Sequence, residues 1–458
     1  MKVELLKKIP QVDALMKRIP PEYYENLENE YIKRAVRAEL DELRGRILNG
    51  ENPELSEEGV LSAVCARLAR LTVDSLVPVI NATGIIVHTN LGRAILSEEL
   101  LDHTREVLTN YSTLEFDLET GKRGSRYVHA EKRLAEITGA EAALVVNNNA
   151  AAVMLILNTM AAGKEVVVSR GELVEIGGSF RVPDVMAASG CILKEVGTTN
   201  KTHVFDYEKA IGEQTGLLMK THTSNYKIVG FTESVDIGTL AEIGKARGIP
   251  VYEDLGSGTI YPLGNLELPS VPESVAKGLD LISFSGDKVF GSVQCGIIIG
   301  KKAWIDRLKV NPLLRAFRMD KYTLALLEAT LKLYLKREHV LESAPTLHMI
   351  AMDQETVKQA VERFVDRYRE RLNDCGFVWT AMDLTAEIGG GSTPGEGIPS
   401  FGLELSTLKS PARFQRRLRQ FEKPIIATLS KDCVYLDFRT VFERDFQRLM
   451  EGLEFADA

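Results

Sequence analysis

Apolar residues in the first part of the chain recur at helical spacing. Between Pro21 and Leu48 they fall at Tyr24, Leu27, Tyr31, Ala35, Leu40, Leu43 and Ile47, while Lys33, Arg34, Arg37, Arg44 and Arg46 fill much of the remainder. This predicts an amphipathic helix with a basic polar face. Gly50-Glu-Asn-Pro53 ends it, and a second amphipathic helix is expected over about Glu57 to Leu71. The preceding stretch, Met1 to Arg18, is short and basic, with breaks at Ile9-Pro10 and Ile19-Pro20. From about 78 to 335 the pattern becomes one of short apolar runs. Leu144-Val-Val146, Glu165-Val-Val-Val168, Ile192 to Val196, Gly216 to Met219, Pro250-Val-Tyr252 and Leu281 to Phe284 read as strands, and Gly296 to Gly300 adds another. Helices such as Ala150 to Ala161 and Asp236 to Arg247 lie between several of them. Strand-helix alternation implies a mostly parallel sheet covered on both faces. Pro312 to Leu335 reads as one long helix leaving that sheet. The remainder, with helices over Gln354 to Asn373 and Pro411 to Phe421 and strands between them, predicts a smaller α+β domain. The expected domains are therefore 1–75 (helical), 76–338 (large, α/β) and 339–458 (small, α+β).

Composition narrows the class. A content of 45% hydrophobic and 26% charged residues is that of an ordinary soluble protein. No apolar run approaches the roughly 20 residues of a membrane span. The segment from Met1 to Lys8 has no apolar signal core, so a cytoplasmic location without membrane partners is expected. The five cysteines are scattered without a C-x-x-C pair, which argues against a zinc site or disulfide framework. Cys295 reads as a small buried thiol. A net charge of -8 disfavours polyanion binding by the whole surface but leaves room for a local basic face.

The chemistry concentrates at strand ends. Leu281-Ile-Ser-Phe-Ser-Gly-Asp-Lys288 delivers one lysine at the end of an apolar run, and Pro250-Val-Tyr-Glu-Asp254-Leu-Gly ends a strand in an acid and a glycine turn. Each residue alone reads equally as a surface lysine or a helix cap. As an ordered pair they suit pyridoxal phosphate (PLP). Lys288 would form the Schiff base, and Asp254 would keep the pyridine nitrogen protonated so that the ring acts as an electron sink. Val145-Val-Asn-Asn-Asn149-Ala-Ala-Ala152 runs from a strand into a helix, so the free N–H groups of Asn149, Ala150 and Ala151 are the expected phosphate cradle, with the Ser285 hydroxyl as a further ligand. Arginines form a second constellation: Arg93 in a glycine-marked segment, Arg126 in Gly121-Lys-Arg-Gly-Ser-Arg126, and Arg315 with Arg318 one helical turn apart. A pair at that spacing suits an oxyanion, although solvated helix charges read the same way.

Several longer strings resemble the bacterial selenocysteine synthase family, the L-seryl-tRNA(Sec) selenium transferases. They are Ile80-Asn-Ala-Thr-Gly, His88-Thr-Asn-Leu-Gly-Arg93, Gly121 to Arg126, Val145-Val-Asn-Asn-Asn149, Ser169 to Arg181, Gly197-Thr-Thr-Asn-Lys201 and Ser285-Gly-Asp-Lys288. The likeness runs from Ile9-Pro-Gln-Val-Asp13 to Leu436-Asp-Phe-Arg-Thr440. It implies a type I PLP-dependent transferase fold, an N-terminal helical domain that grips tRNA, and a decamer built as a pentamer of dimers. It also implies conversion of seryl-tRNA(Sec) to selenocysteinyl-tRNA(Sec) with selenophosphate, through loss of water to dehydroalanyl-tRNA and addition of selenium. Lys288 would hold PLP and act as base; Arg93, Arg315 and Arg318 would bind selenophosphate, with Arg126 reaching the neighbouring subunit. No metal is implied.

Two departures bear on this. After the lysine the family usually reads Leu-Leu-Gly-Gly-Pro-Gln-Ala-Gly, whereas here Ser292 and Val293 stand in Val289-Phe-Gly-Ser-Val-Gln-Cys-Gly296. Thr428 stands where relatives often carry an arginine, with Arg439 nearby in sequence. The alternative reading is a PLP-dependent lyase of the same family acting on a free small amino acid or sugar acid.

Overall fold

The structure is a computed structural model describing residues 2–177, 180–223, 225–264, 266–392, 395 and 397–458. Gly178 and Ser179, inside the motif from Ser169 to Arg181, lie outside the described residues. The chain divides into two compact units, Met1–Pro78 and Val79–Ala458.

The first unit consists of the helices Lys2–Lys7, Val12–Met16, Pro21–Asn26, Asn29–Leu48 and Glu57–Thr72. The single helix expected from Pro21 to Leu48 is interrupted at Leu27 and Glu28, both in extended conformation. The interruption lets Tyr23 and Leu27 pack onto the same cluster as Leu15, Ile32, Val36, Leu40, Val64 and Leu68. Ile32 and Val36 take the buried face, while Tyr24 and Tyr31, placed on the apolar face by spacing alone, are exposed. Ser56 starts the last helix by accepting the Gly59 N–H at 3.1 Å. Lys33, Arg34, Arg37, Arg44 and Arg46 are all exposed.

The second unit is built on two sheets. The larger has seven strands in the order Ala142–Val146, Gly296–Gly300, Leu281–Ser285, Val251–Gly256, Thr215–Thr221, Glu165–Ser169 and Ile192–Val196. Gly296–Gly300 runs antiparallel to both neighbours, and the other pairings are parallel. Apolar clusters cover both faces, one centred on Val145, Leu218, Ile282 and Phe284, the other on Leu144, Leu155, Leu217 and Tyr252. The alternation of neighbouring residues between clusters is what a strand buried on both sides requires. The six-stranded sheet runs Ile80–Ala82, Ile425–Ser430, Cys433–Asp437, Ile398–Ser406, Val378–Gly389, Ile85–Val87. The strands just after residue 79 thus pair with the C-terminal region, Ile80 opposite Ile425.

The long helix expected from Pro312 to Leu335 is two helices, Leu314–Phe317 and Lys321–Leu333. Asp320 causes the break. Its carboxylate accepts the N–H groups of Tyr322 and Thr323 at 2.7 and 3.0 Å and the Thr323 hydroxyl at 2.7 Å, so a new helix starts there, with Arg318 extended before it. Arg315 and Arg318 are therefore not stacked on one helix.

Candidate active site

Parallel strands end together at one edge of the larger sheet, and adjacent strand ends carry Asp254 and Lys288. Lys288 is 6% exposed and Asp254 4% exposed. Burial lowers the Lys288 amine's affinity for a proton and raises that of the Asp254 carboxyl, while the attraction between the two opposes both shifts. Asp254 is held through one oxygen: Oδ1 accepts Asn149 Nδ2 at 2.9 Å, the Gly256 N–H at 3.0 Å and the Ser283 hydroxyl at 3.5 Å. Among the described residues no bond goes to Oδ2, which leaves it for a further cationic donor.

The loop after the strand is tightly folded. A Cβ at Gly286 would lie 2.4 Å from the Cys295 sulfur and 2.8 Å from the Val293 carbonyl oxygen. Ser292, one of the two departures in this loop, is buried and donates its hydroxyl to Thr330 Oγ1 at 2.9 Å. Cys295 is fully buried, and burial pushes its thiol up.

The Asn149–Ala161 helix begins beside Asp254. The Asn148 side chain caps it by accepting the Ala151 N–H at 2.8 Å. The N–H groups of Asn149 and Ala150 carry no hydrogen bond among the described residues. Asn147 donates its N–H to the Phe317 carbonyl at 2.9 Å, tying this turn to the short arginine-bearing helix. Ser285 is buried at the end of its strand.

The arginines fall into two places. Arg93 has a positive φ of 64°, rare for a residue with a side chain. The strained turn is fastened by the Ala94 N–H on the Asp287 carbonyl at 3.1 Å and aims Arg93 at the Asp287 carboxylate, 2.7 Å away. Arg123, Arg126, Arg315 and Arg318 line a separate cavity of about 350 Å3 with Glu115, and Arg93 is not part of its wall. Arg126 is the most enclosed, holding Glu115 at 2.6 Å and the Met319 carbonyl at 2.6 Å. Its hydrogen bond keeps the Glu115 carboxyl below the usual range. Four guanidinium groups against one carboxylate leave the cavity net positive and suited to a small multivalent anion.

A family model described as "SelA: L-seryl-tRNA selenium transferase" matches residues 79–442. The chain belongs to this family. The L-seryl-tRNA(Sec) selenium transferase of Clostridium botulinum (strain Okra / Type B1) is 46% identical over 455 residues, 98% of each chain. That of Alkaliphilus metalliredigens is 46% identical over 468 residues, 99% of each chain. Among solved structures, a D-glucosaminate-6-phosphate ammonia-lyase superposes with a TM-score of 0.60 at 20% identity, covering 85% of this chain and 97% of that one. The fold is that of the type I PLP-dependent enzymes.

Within this selenium transferase fold the structure adds groups that sequence reasoning did not single out. Asp287 fixes Arg93. His222 follows the Thr215–Thr221 strand and donates its backbone N–H to the Asp254 carbonyl at 2.9 Å. A histidine after the apolar run Leu217-Leu-Met219 was the available signal. Arg439 is no candidate for a substrate carboxylate. It is buried, and its guanidinium donates to the carbonyls of Met349, Met352 and Pro399 at 2.7, 2.8 and 2.5 Å. Thr428 is exposed on its strand.

Proposed function

We propose that this enzyme converts L-seryl-tRNA(Sec) to L-selenocysteinyl-tRNA(Sec) in the cytoplasm, with PLP as cofactor and selenophosphate as selenium donor. The observation that carries the reading is the buried Lys288–Asp254 pair on adjacent strand ends, in a chain of this family. The residues fit the cofactor. The unclaimed Asp254 Oδ2 suits a protonated ring nitrogen, and the open N–H groups of Asn149 and Ala150 suit its phosphate. The Ala151 N–H expected in the cradle is instead taken by the Asn148 side chain, and Ser285 ends a strand separated by one other from the strand leading into this turn. PLP would be held by Lys288 at rest and, joined instead to serine's amine, would supply the electron sink that makes serine's α-proton acidic while leaving the Lys288 amine free.

The chain's own residues do the rest. Lys288, whose amine's affinity for a proton burial lowers, is the base for the α-proton. Asn149 orients Asp254 and keeps its charge directed at the ring. Serine loses its α-proton and β-hydroxyl as water; selenium then bonds to the β-carbon of dehydroalanyl-tRNA as phosphate departs. Arg315 and Arg318 bind selenophosphate together with Arg126, which lines the same cavity of the same chain, and Arg93, held by Asp287 beside Lys288, completes the anion's surroundings. The helical unit carries the tRNA on its exposed basic residues, residues 76–338 and 339–458 act as large and small domains except that Ile80–Ala82 and Ile85–Val87 join the sheet of the small one, and the protein assembles as a pentamer of dimers. Incubating purified protein with seryl-tRNA(Sec), selenophosphate and PLP tests the reading: selenocysteinyl-tRNA is the expected product. Its absence from protein with PLP bound would favour a lyase acting on a free small molecule.

A further inference from the structure

Beyond Asp254, on the side away from the arginine cavity, the strand ends carry a second cavity of about 400 Å3. Its floor adjoins the reaction centre. Thr221, which lines it, is the direct partner of Asp254 in the parallel ladder, so the two side chains leave the same face of the sheet. His222, also in the wall, is bonded through its backbone to Asp254. Burial above all, and then the positive charges of Lys220 and Lys288, lowers the His222 ring's affinity for a proton.

The wall combines hydroxyl and amide groups with a near balance of charge, Lys201, Lys220 and Lys227 against Glu172 and Glu233. Thr221 is 3% exposed, and its Oγ1 is buried with no partner among the described residues. Such a hydroxyl is costly unless something binds it. The charge of Glu172 is spent within the wall, on Lys220 Nζ at 2.9 Å and on the Thr221 N–H at 3.2 Å. Thr199, Asn200, Thr223 and Ser234 present hydroxyl and amide groups, and Tyr226, whose hydroxyl donates to the Gly171 carbonyl, presents a ring. This is the inventory that recognises a nucleoside, through polar groups on the base edge and ribose and an aromatic face for the base. The volume lies within the roughly 300–1,000 Å3 typical of small-ligand sites.

The inference rests on the function proposed above. There serine arrives as an ester on the ribose of the tRNA's 3′-terminal adenosine. Three covalent bonds link serine's α-carbon to that ribose, a span of about 4 Å, so the nucleoside must sit beside Lys288 and Asp254. We propose that the cavity bounded by Thr221 and Tyr226 is the subsite for this terminal adenosine. The arginine cavity on the opposite flank has the wrong chemistry for it.

The test uses the full-length, PLP-loaded protein and two serine esters, 3′-O-L-seryl-adenosine and L-serine methyl ester. Elimination is followed as ammonia released when the eliminated enamine hydrolyses, and binding of adenosine 5′-monophosphate is measured by calorimetry. The expected kcat/KM favours the adenosine ester by about tenfold or more, the discrimination that one or two hydrogen bonds supply. Thr221→Val, which removes the hydroxyl at constant shape, and Thr199→Trp, which fills the cavity from its exposed rim, should each bring the ratio near one and weaken nucleotide binding in parallel. Equal kcat/KM for both esters in the unaltered protein overturns the subsite and leaves the proposed reaction standing. So does a ratio and a nucleotide affinity that survive both substitutions. Failure to act on either ester, with no selenocysteinyl-tRNA formed from seryl-tRNA(Sec), overturns the proposed function and the subsite that rests on it.

Discussion

Lys288 and Asp254 are ordinary ionisable residues made unusual by where their strands end. Burial works on both in the same sense, towards the neutral form, and mutual attraction works against it. Burial lowers the Lys288 amine's affinity for a proton relative to a solvated lysine, the direction that the base role proposed for it requires. Lys288→Ala should abolish the visible absorbance of covalently held PLP and lower turnover by at least about 10²–10⁴-fold, the usual worth of a positioned acid-base group; full activity would remove the lysine from the chemistry. Arg315 is exposed on its short helix and lines the arginine cavity. Arg315→Ala is expected to raise the KM for selenophosphate by roughly tenfold or more, the worth of a charge-assisted hydrogen bond, with affinity for tRNA unchanged. A uniform loss of tRNA affinity would mean the helix contacts RNA instead.

At the scale of elements, the break at Arg318–Asp320 sets where the arginines point. A continuous helix would have stacked Arg315 and Arg318 along one face. Instead Asp320 starts a new helix, and Arg318 leaves the axis in an extended conformation, 3.7 Å from Glu115. Asp320→Ala removes the acceptor for two helix N–H groups and should cost about 1 kcal/mol of stability in denaturant unfolding. It should also raise the selenophosphate KM, because the turn that carries Arg318 loses its anchor. A stability loss with unchanged KM would separate the cap from the site. The strained backbone at Arg93 is the same kind of device, a local cost accepted so that a side chain meets Asp287.

For the whole molecule, the helical unit Met1–Pro78 has its own core of Leu15, Ile32, Val36, Leu40, Val64 and Leu68 and ends where the first strand of the second unit begins. A chain starting at residue 79 should therefore fold, bind PLP and retain elimination from L-serine methyl ester, while turnover of seryl-tRNA(Sec) falls to background. Unchanged use of the tRNA substrate would sink the role assigned to the helical unit. Much of this organisation was legible beforehand because hydrophobic periodicity is a local property. The strands from Ala142–Val146 to Gly296–Gly300 and the helices Asn149–Ala161 and Gln354–Asp374 follow it closely. The interruptions at Leu27 and Asp320 were not legible, because a cap and a core compete with a periodic pattern that continues across them.

The sequence by itself determined the alternation of strand and helix, the strand-end placement of Asp254 and Lys288, and the family's motifs. Each of these is written in neighbouring residues. Only the tertiary structure decided that Asn149 orients Asp254, that Asp287 holds Arg93, and that Arg439 is occupied by backbone carbonyls. It alone also placed Thr221 opposite Asp254 beside a cavity and joined Ile80–Ala82 to a sheet otherwise formed largely by the C-terminal region. These pairings link residues far apart along the chain. No local pattern encodes them, because they are fixed by which strands pair and in what register.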